Sequence, residues 1–250
     1  MKQFLFLIFL SLSAISAAAV PDSLFLKGNE YYMQRQYQMA EQSYSAVVAM
    51  GYESADLYFN LGNALYKQDK FAPAILYYEK ALLLRPGDED IKENLKLANA
   101  RIIDKIDAIP EFFVKRWING LRGIFSPDVW AVISLVLFVA GLAGILVSYL
   151  SLGTGLRKAA LGTGLVFVFL SLLSVGLMAT RIRYIQKHEY AIIMSTSVTA
   201  RSSPDEQSTN VFVLHEGTKV QVTDSLLNWK EIRIANGNTG WIPGETIEEI

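Results

Sequence analysis

The stretch LGNALYKQDKFAPAILYY, residues 61–78, is anticipated by KGNEYYMQRQYQMAEQSY at 27–44. Gly62 falls on Gly28, Asn63 on Asn29, Tyr66 on Tyr32, Phe71 on Tyr37, Ala74 on Ala40 and Tyr78 on Tyr44, every pair 34 residues apart. In both copies apolar residues recur at helical spacing in two blocks, with a break near Arg35 and Gln36 and again near Gln68, Asp69 and Lys70. Each copy therefore reads as helix–turn–helix, repeated at the period of a solenoid whose units stack to share a core. Two units alone cannot bury their faces. After Pro86-Gly87-Asp88 the chain continues EDIKENLKLANARIIDKI, with Ile91, Leu95, Ala98, Ile102 and Ile106 along one stripe. Its outer face is charged, the pattern of a terminal capping helix.

The residues of the second copy, 55–88, carry a resemblance. Tyr58, Leu61, Gly62, Ala74, Tyr78, Ala81 and Pro86 stand where the tetratricopeptide repeat asks for aromatic, Leu, Gly, Ala, aromatic, Ala and Pro. The first copy, 21–54, keeps Gly28, Tyr31, Ala40 and Tyr44, so residues 20–109 resemble two such repeats with a capping helix. The resemblance implies an all-α solenoid, close helix packing at Gly28, Ala40, Gly62 and Ala74, and a groove lined by the first helix of each unit. It places the family's peptide-holding positions on Asn29, Asn60, Asn63 and Asn94, with Tyr66 among them. An Asn side chain offers both a donor and an acceptor, so it suits a peptide backbone of any sequence. As residues alone, the four Asn also fit an ordinary polar helix surface. The family's carboxylate-gripping variant has basic residues where this chain has Phe25 and Phe59, so the resemblance does not extend to that specificity. Asp22, Asp56 and Asp90 recur at 34 as well, each in a first helical turn where the helix dipole favours negative charge.

The chain of 250 residues is 52% hydrophobic and 19% charged, too apolar for a purely soluble protein. Its formal net charge of −1 leaves no electrostatic footprint for nucleic acid. There is no Cys, and the only histidines are His188 and His215, which argues against disulfides, thiolate zinc and histidine-rich metal sites. His215 is expected on a solvated turn. No nucleophile–base pair, phosphate loop or metal-ligand spacing points to an enzyme, a cofactor or a metal.

The apolar residues are concentrated in three runs. MKQFLFLIFLSLSAISAAA, residues 1–19, has Lys2, an apolar core and Ala17 and Ala19 at small-x-small spacing: a signal peptide cleaved after Ala19, or else an uncleaved anchor. Residues 129–150 and 159–180 are 22 each, about 33 Å as helices, enough to cross a bilayer in contact with lipid. They lack the charged face of a long soluble helix. Ala140 and Gly144, and Ala160 and Gly164, are spaced to let two spans approach closely. Segment 110–126 puts Phe113, Val114, Trp117, Ile118, Leu121, Ile124 and Phe125 on one helical face and Lys115, Arg116, Asn119 and Arg122 on the other. That suits an amphipathic interfacial helix, or one docked on the repeats.

Topology signals conflict. A signal peptide exports the repeats, and two spans return the C-terminal region to the same side. The flanking Lys115, Arg116, Arg122, Arg181, Arg183 and Lys187 outnumber Arg157 and Lys158 between the spans, which alone would place both domains in the cytoplasm. The signal peptide acts first, so both are expected on the periplasmic side of a bacterial inner membrane.

Residues 190–250 change texture to β-branched alternation and turns, reading as four or five short strands with a hairpin at Asn236-Gly237. Val198 to Pro204, then VLHEGTKVQV, then Trp229 and GWIP, resemble the bacterial SH3-type barrel. That resemblance implies a small all-β domain binding peptide or peptidoglycan. Trp229 and Trp241 read either as its aromatic ligand surface or as core.

The fold class is thus a multi-domain membrane protein: tetratricopeptide solenoid, two transmembrane helices, SH3-type barrel. This module order resembles the E-type proteins of the bacterial aerotolerance (Bat) operons of Bacteroidetes. The resemblance implies a non-enzymatic envelope scaffold working beside von Willebrand factor A-type membrane proteins of the same operon and a MoxR-type ATPase. The rival expectation is a cell-wall sensor or anchor that binds peptidoglycan through the barrel.

Overall fold

The computed structural model describes residues 21–106, 109, 113, 117, 120–121, 123–186 and 190–250. The expected signal peptide, His188 and much of the expected interfacial helix lie outside them; within that helix, positions 113, 117, 120 and 121 are helical, and Phe113, Trp117 and Leu121 are exposed. The chain forms two compact units. One comprises the chain up to Leu84 with Asp88–Ile109 and Glu189–Ile250, the other Arg85–Gly87 with Pro110–His188.

In the first unit, residues 21–33 (α1) and Tyr37–Ala49 (α2) form one helical hairpin, Ala55–Tyr66 (α3) and Phe71–Leu84 (α4) the next, and Glu89–Asn99 (α5) closes the stack. The two hairpin turns are copies. Each holds one left-handed residue, Arg35 (φ 61°) and Asp69 (φ 58°). The following N–H closes back on the helix, Gln36 to Tyr31 O at 2.9 Å and Lys70 to Leu65 O at 3.1 Å. Ser54 caps α3 by accepting from Leu57 N, and Asp88 caps α5 by accepting from Asp90 N and Ile91 N. The glycines are needed for close approach. A Cβ at Gly28 would lie 2.5 Å from Tyr44 Cε1, and one at Gly62 would lie 2.7 Å from Tyr78 Cε1. Around these contacts Ala40, Leu61, Ala64, Ala74, Ile75 and Ala81 are fully buried.

The capping helix is shorter than its apolar stripe. It stops at Asn99, and Ile102 and Ile106 do not continue it. No Gly or Pro intervenes between 99 and 106; the chain leaves the helix because its next residues find tertiary partners. Ile102 packs on Gly217, and Ile106 joins the apolar core of the β domain.

That domain contains seven strands among the described residues, against the four or five expected: β1 Tyr190–Ile193, β2 Ser197–Arg201, β3 Asn210–His215, β4 Lys219–Leu226, β5 Trp229–Arg233, β6 Thr239–Pro243 and β7 Ile247–Glu249. They form one antiparallel sheet in the order β3-β2-β6-β5-β4-β1-β7. The flanking β1 and β7, four and three residues long, are too short to show alternation in sequence. The hairpin at Asn236-Gly237 forms as expected, with Gly237 at φ 88°. Ala191, Ile193, Val198, Ala200, Leu214, Val220, Ile232 and Ile242 make its core. Strand β1 is buried on both faces: Ala191 and Ile193 enter this core, while Ile192, with Ile250, enters the core of the helical repeats.

The second unit centres on Pro127–Leu150 (α6) and Thr154–Gln186 (α7), both long and apolar enough to cross a membrane. Ser126 caps α6 ahead of Pro127, its side chain accepting from Val129 N. The helices pack antiparallel, with Ser148 Oγ donating to Arg157 O, Ser171 Oγ to Ser134 O and Ser174 Oγ to Trp130 O. Gly144 and Gly164 meet at the crossing, where a Cβ on either would strike the opposing backbone within 3 Å. Most of the remaining apolar surface of the pair faces outward.

Candidate functional site

The Asn and Tyr residues of the two repeats form a ladder. Asn29 Oδ1 accepts from the Tyr44 hydroxyl at 2.8 Å and from Asn60 Nδ2 at 3.1 Å. One repeat later Asn63 Oδ1 accepts from the Tyr78 hydroxyl at 2.8 Å and from Asn94 Nδ2 at 2.8 Å. Each rung is built by one local rule. The Tyr ring lies on the glycine, and its hydroxyl then reaches the next residue of the same helix, the Asn. Burial, reinforced by neighbouring tyrosines, pushes the Tyr44 hydroxyl up to about 12 and raises that of Tyr78 too, so both remain donors.

These Asn oxygens are therefore not simply turned toward a ligand. Both lone pairs of Asn29 and Asn63 are taken. What the ladder leaves over, among the described residues, is the amide group Nδ2 of Asn29 and Asn63 and the oxygen Oδ1 of Asn60 and Asn94. A donor from one helix stands beside an acceptor from the next, which is the complement of one peptide unit. The second rung opens into a pocket of about 200 Å³ lined by Tyr32, Asn63, Tyr66, Lys67, Tyr78, Asn94 and Leu97. So Asn63, Asn94 and Tyr66 come together in one concavity, while Asn29 and Asn60 form the rung before it. Phe25 and Phe59 pack on the ladder tyrosines, with ring centroids 5.8 and 6.0 Å from Tyr44 and Tyr78.

On the barrel, Trp229 and Trp241 are half-buried and outside the core. In register Trp229 opposes Pro243 and Trp241 opposes Glu231, in phase opposite to the core residues Ile232 and Ile242. Both therefore belong to the outer face of the sheet, at diagonal positions within aromatic reach.

Two family models match this chain. The tetratricopeptide repeat matches residues 55–88 and the bacterial SH3 domain residues 196–248. A 76-residue stretch is 34% identical to Protein O-mannosyl-transferase TMTC1 of Mus musculus, and one of the same length is 33% identical to the Homo sapiens protein. Each covers 30% of this chain but only 8% and 9% of those proteins, so the chain spans under a tenth of the curated relatives it matches. The architecture is tetratricopeptide hairpins, two apolar helices and an SH3-type β domain.

The SH3 domain is anchored to the repeats by residues that carried no sequence signal. The Asp104 carboxylate accepts from His215 N at 2.8 Å and from Thr218 Oγ1 at 2.6 Å, and pairs with His215 Nδ1 at 2.8 Å. Burial alone would raise the Asp104 carboxyl, but the bonds from Thr218 and His215 outweigh it and hold it below its ordinary value. His215 is thus not a solvated turn residue but half of a junction, because the turn after β3 abuts the segment after α5. Lys219 Nζ adds a 2.7 Å ion pair to Glu79 on α4. Contacts between residues about 110 to 140 positions apart, each occurring once, leave no periodicity to read.

Proposed function

We propose that this chain is a non-enzymatic membrane scaffold whose tetratricopeptide groove holds an extended peptide segment of a partner protein. The observation that carries this reading is the spare amide of Asn63 beside the spare oxygen of Asn94 in the pocket shared with Tyr66. That pair satisfies a backbone C=O and N–H without consulting side chains, so specificity falls to Tyr32, Lys67 and Leu97. The module order further supports an envelope complex of the aerotolerance type, with von Willebrand factor A-type membrane proteins as partners and both domains on the periplasmic side. Packing of the repeats and the SH3 domain within one unit fits an even number of membrane crossings between them.

The test separates groove from ladder. Asn63→Asp keeps an oxygen for Tyr78 and Asn94 but removes the donor offered to the ligand. In the full chain it should weaken capture of a partner's soluble domain by roughly five- to 150-fold, the equivalent of losing about 1–3 kcal/mol. Unchanged affinity with the fold intact would remove the groove from the mechanism.

A second reading is favoured by the outward pair Trp229 and Trp241: binding of peptidoglycan by the SH3 domain. Cosedimentation of the detergent-solubilised full chain with purified peptidoglycan, abolished by Trp229→Ala and Trp241→Ala together, is its expected signature. Retention by the double variant, or no cosedimentation of the native chain, would dismiss it.

A further inference from the structure

We propose that the β4–β5 turn, Leu226 and Leu227, inserts into the lipid surface of the membrane that the chain itself crosses. Leu227 sits at φ 52° with its side chain 94% exposed, and Leu226 is 52% exposed. Turn chemistry alone would select Gly or Asn for that backbone conformation. Folding instead holds a leucine in a disfavoured region and gives it nothing of its own chain to pack on. The turn is braced, since Gly244 N donates to Asn228 O at 2.7 Å, so the two leucines stand on a fixed support next to the half-buried Trp229.

Position within the barrel favours lipid as the occupant. Tyr190, where the chain enters after α7, pairs with Gln221, and β1 and β4 are antiparallel. Strand β4 therefore runs on past that pair toward the turn, on the side from which the chain arrives. The turn lies about 20 Å along β4 from Tyr190. Only residues 187–189 join α7 to β1, at most about 14 Å of chain. The polar end of α7, 181–186, adds about 9 Å beyond the apolar run. The tether is thus as short as the turn's own reach. The neighbouring charges are Asp224 and Lys230, the latter held by Glu249 at 3.2 Å, so no basic cluster calls for anionic headgroups. A bilayer tethered at this distance is always available, whereas a partner's pocket is not. The inference rests on α6 and α7 spanning a membrane and is independent of the groove.

The chain has no Cys, so Ser225→Cys accepts a single environment-sensitive dye while leaving both leucines in place. In the full chain reconstituted into phosphatidylcholine–phosphatidylethanolamine vesicles, the dye should emit to the blue and be quenched by nitroxide-labelled lipid. Adding Leu226→Ser and Leu227→Ser should abolish both effects. Adding Leu227→Gly instead, which suits the turn's backbone and so preserves the fold, should sharply reduce the quenching. An aqueous, unquenched dye overturns the proposal, as does quenching that survives loss of the leucines. Blue emission without lipid quenching also overturns it, because the turn would then be seated in a protein pocket.

Discussion

Replacing Asp104 by Ala removes the acceptor for three donors from the SH3 domain at once: His215 N, His215 Nδ1 and Thr218 Oγ1. Hydrogen bonds to a charged group contribute about 1.5–3 kcal/mol each. These three share one carboxylate, and the His215 side chain is 32% exposed, so the loss is discounted to roughly 2–4 kcal/mol of docking free energy. A drop of that size in the free energy of local opening accelerates amide exchange about 30- to 900-fold. The His215 amide reports on the junction directly, because it donates to Asp104. The Gly217 amide donates to Ile193 O inside the barrel at 2.8 Å and serves as the internal reference. Residue-resolved hydrogen exchange on the full chain in nanodiscs should show the His215 amide accelerated in Asp104→Ala and Gly217 nearly unchanged. Asp104→Asn, which keeps one acceptor oxygen, should fall between. Two results would refute the reasoning. If the His215 amide changes less than about threefold, the apolar contacts of Ile102, Ile192 and Ile250 hold the domains together without the carboxylate. If Gly217 accelerates equally, the barrel has unfolded and not undocked.

The same carboxylate gives the junction a pH dependence with a defined sign. Its folded pKa is depressed, so its stabilisation is complete above the ordinary carboxylate value of about 3.9 and is lost as pH falls through its own lower value. His215 exchange should rise in acid as the Asp104 carboxyl protonates, beyond the intrinsic pH effect, and Asp104→Asn should remove that rise. Gly62→Ala drives a Cβ into the Tyr78 ring and should cost about 1–3 kcal/mol, read as a lower denaturation midpoint; Gly162→Ala, with open space around it, should change little. Leu227→Gly should raise the stability of the SH3 domain by up to about 1 kcal/mol, the relief of about 1–2 kcal/mol for the left-handed backbone less about 0.5–1 kcal/mol for glycine's greater unfolded-state entropy, and a clear loss of stability would mean that the leucine packs on its own chain.

Much of this protein was legible as sequence because much of it obeys local rules. A 34-residue echo identified the helical hairpins, the positions of both turns and the glycines on which Tyr44 and Tyr78 lie. Long uncharged runs located α6 and α7, and Asn236-Gly237 marked the β5–β6 turn. In each case the cause acts over a few residues or repeats along the chain, so it prints a pattern. The four Asn were pointed to by the family resemblance, but their hydrogen bonding was not legible in the sequence. Only the tertiary structure showed that Tyr44 and Tyr78 consume the oxygens of Asn29 and Asn63, leaving the amide of one helix beside the oxygen of the next. The early end of α5, the double burial of β1 and the pairing of Asp104 with His215 were likewise decided in three dimensions. An apolar stripe from Ile91 to Ile106 is helical by period, yet its last residues gain more by packing on the barrel than by prolonging the helix. That choice depends on groups more than a hundred residues away, brought close only once both domains have formed.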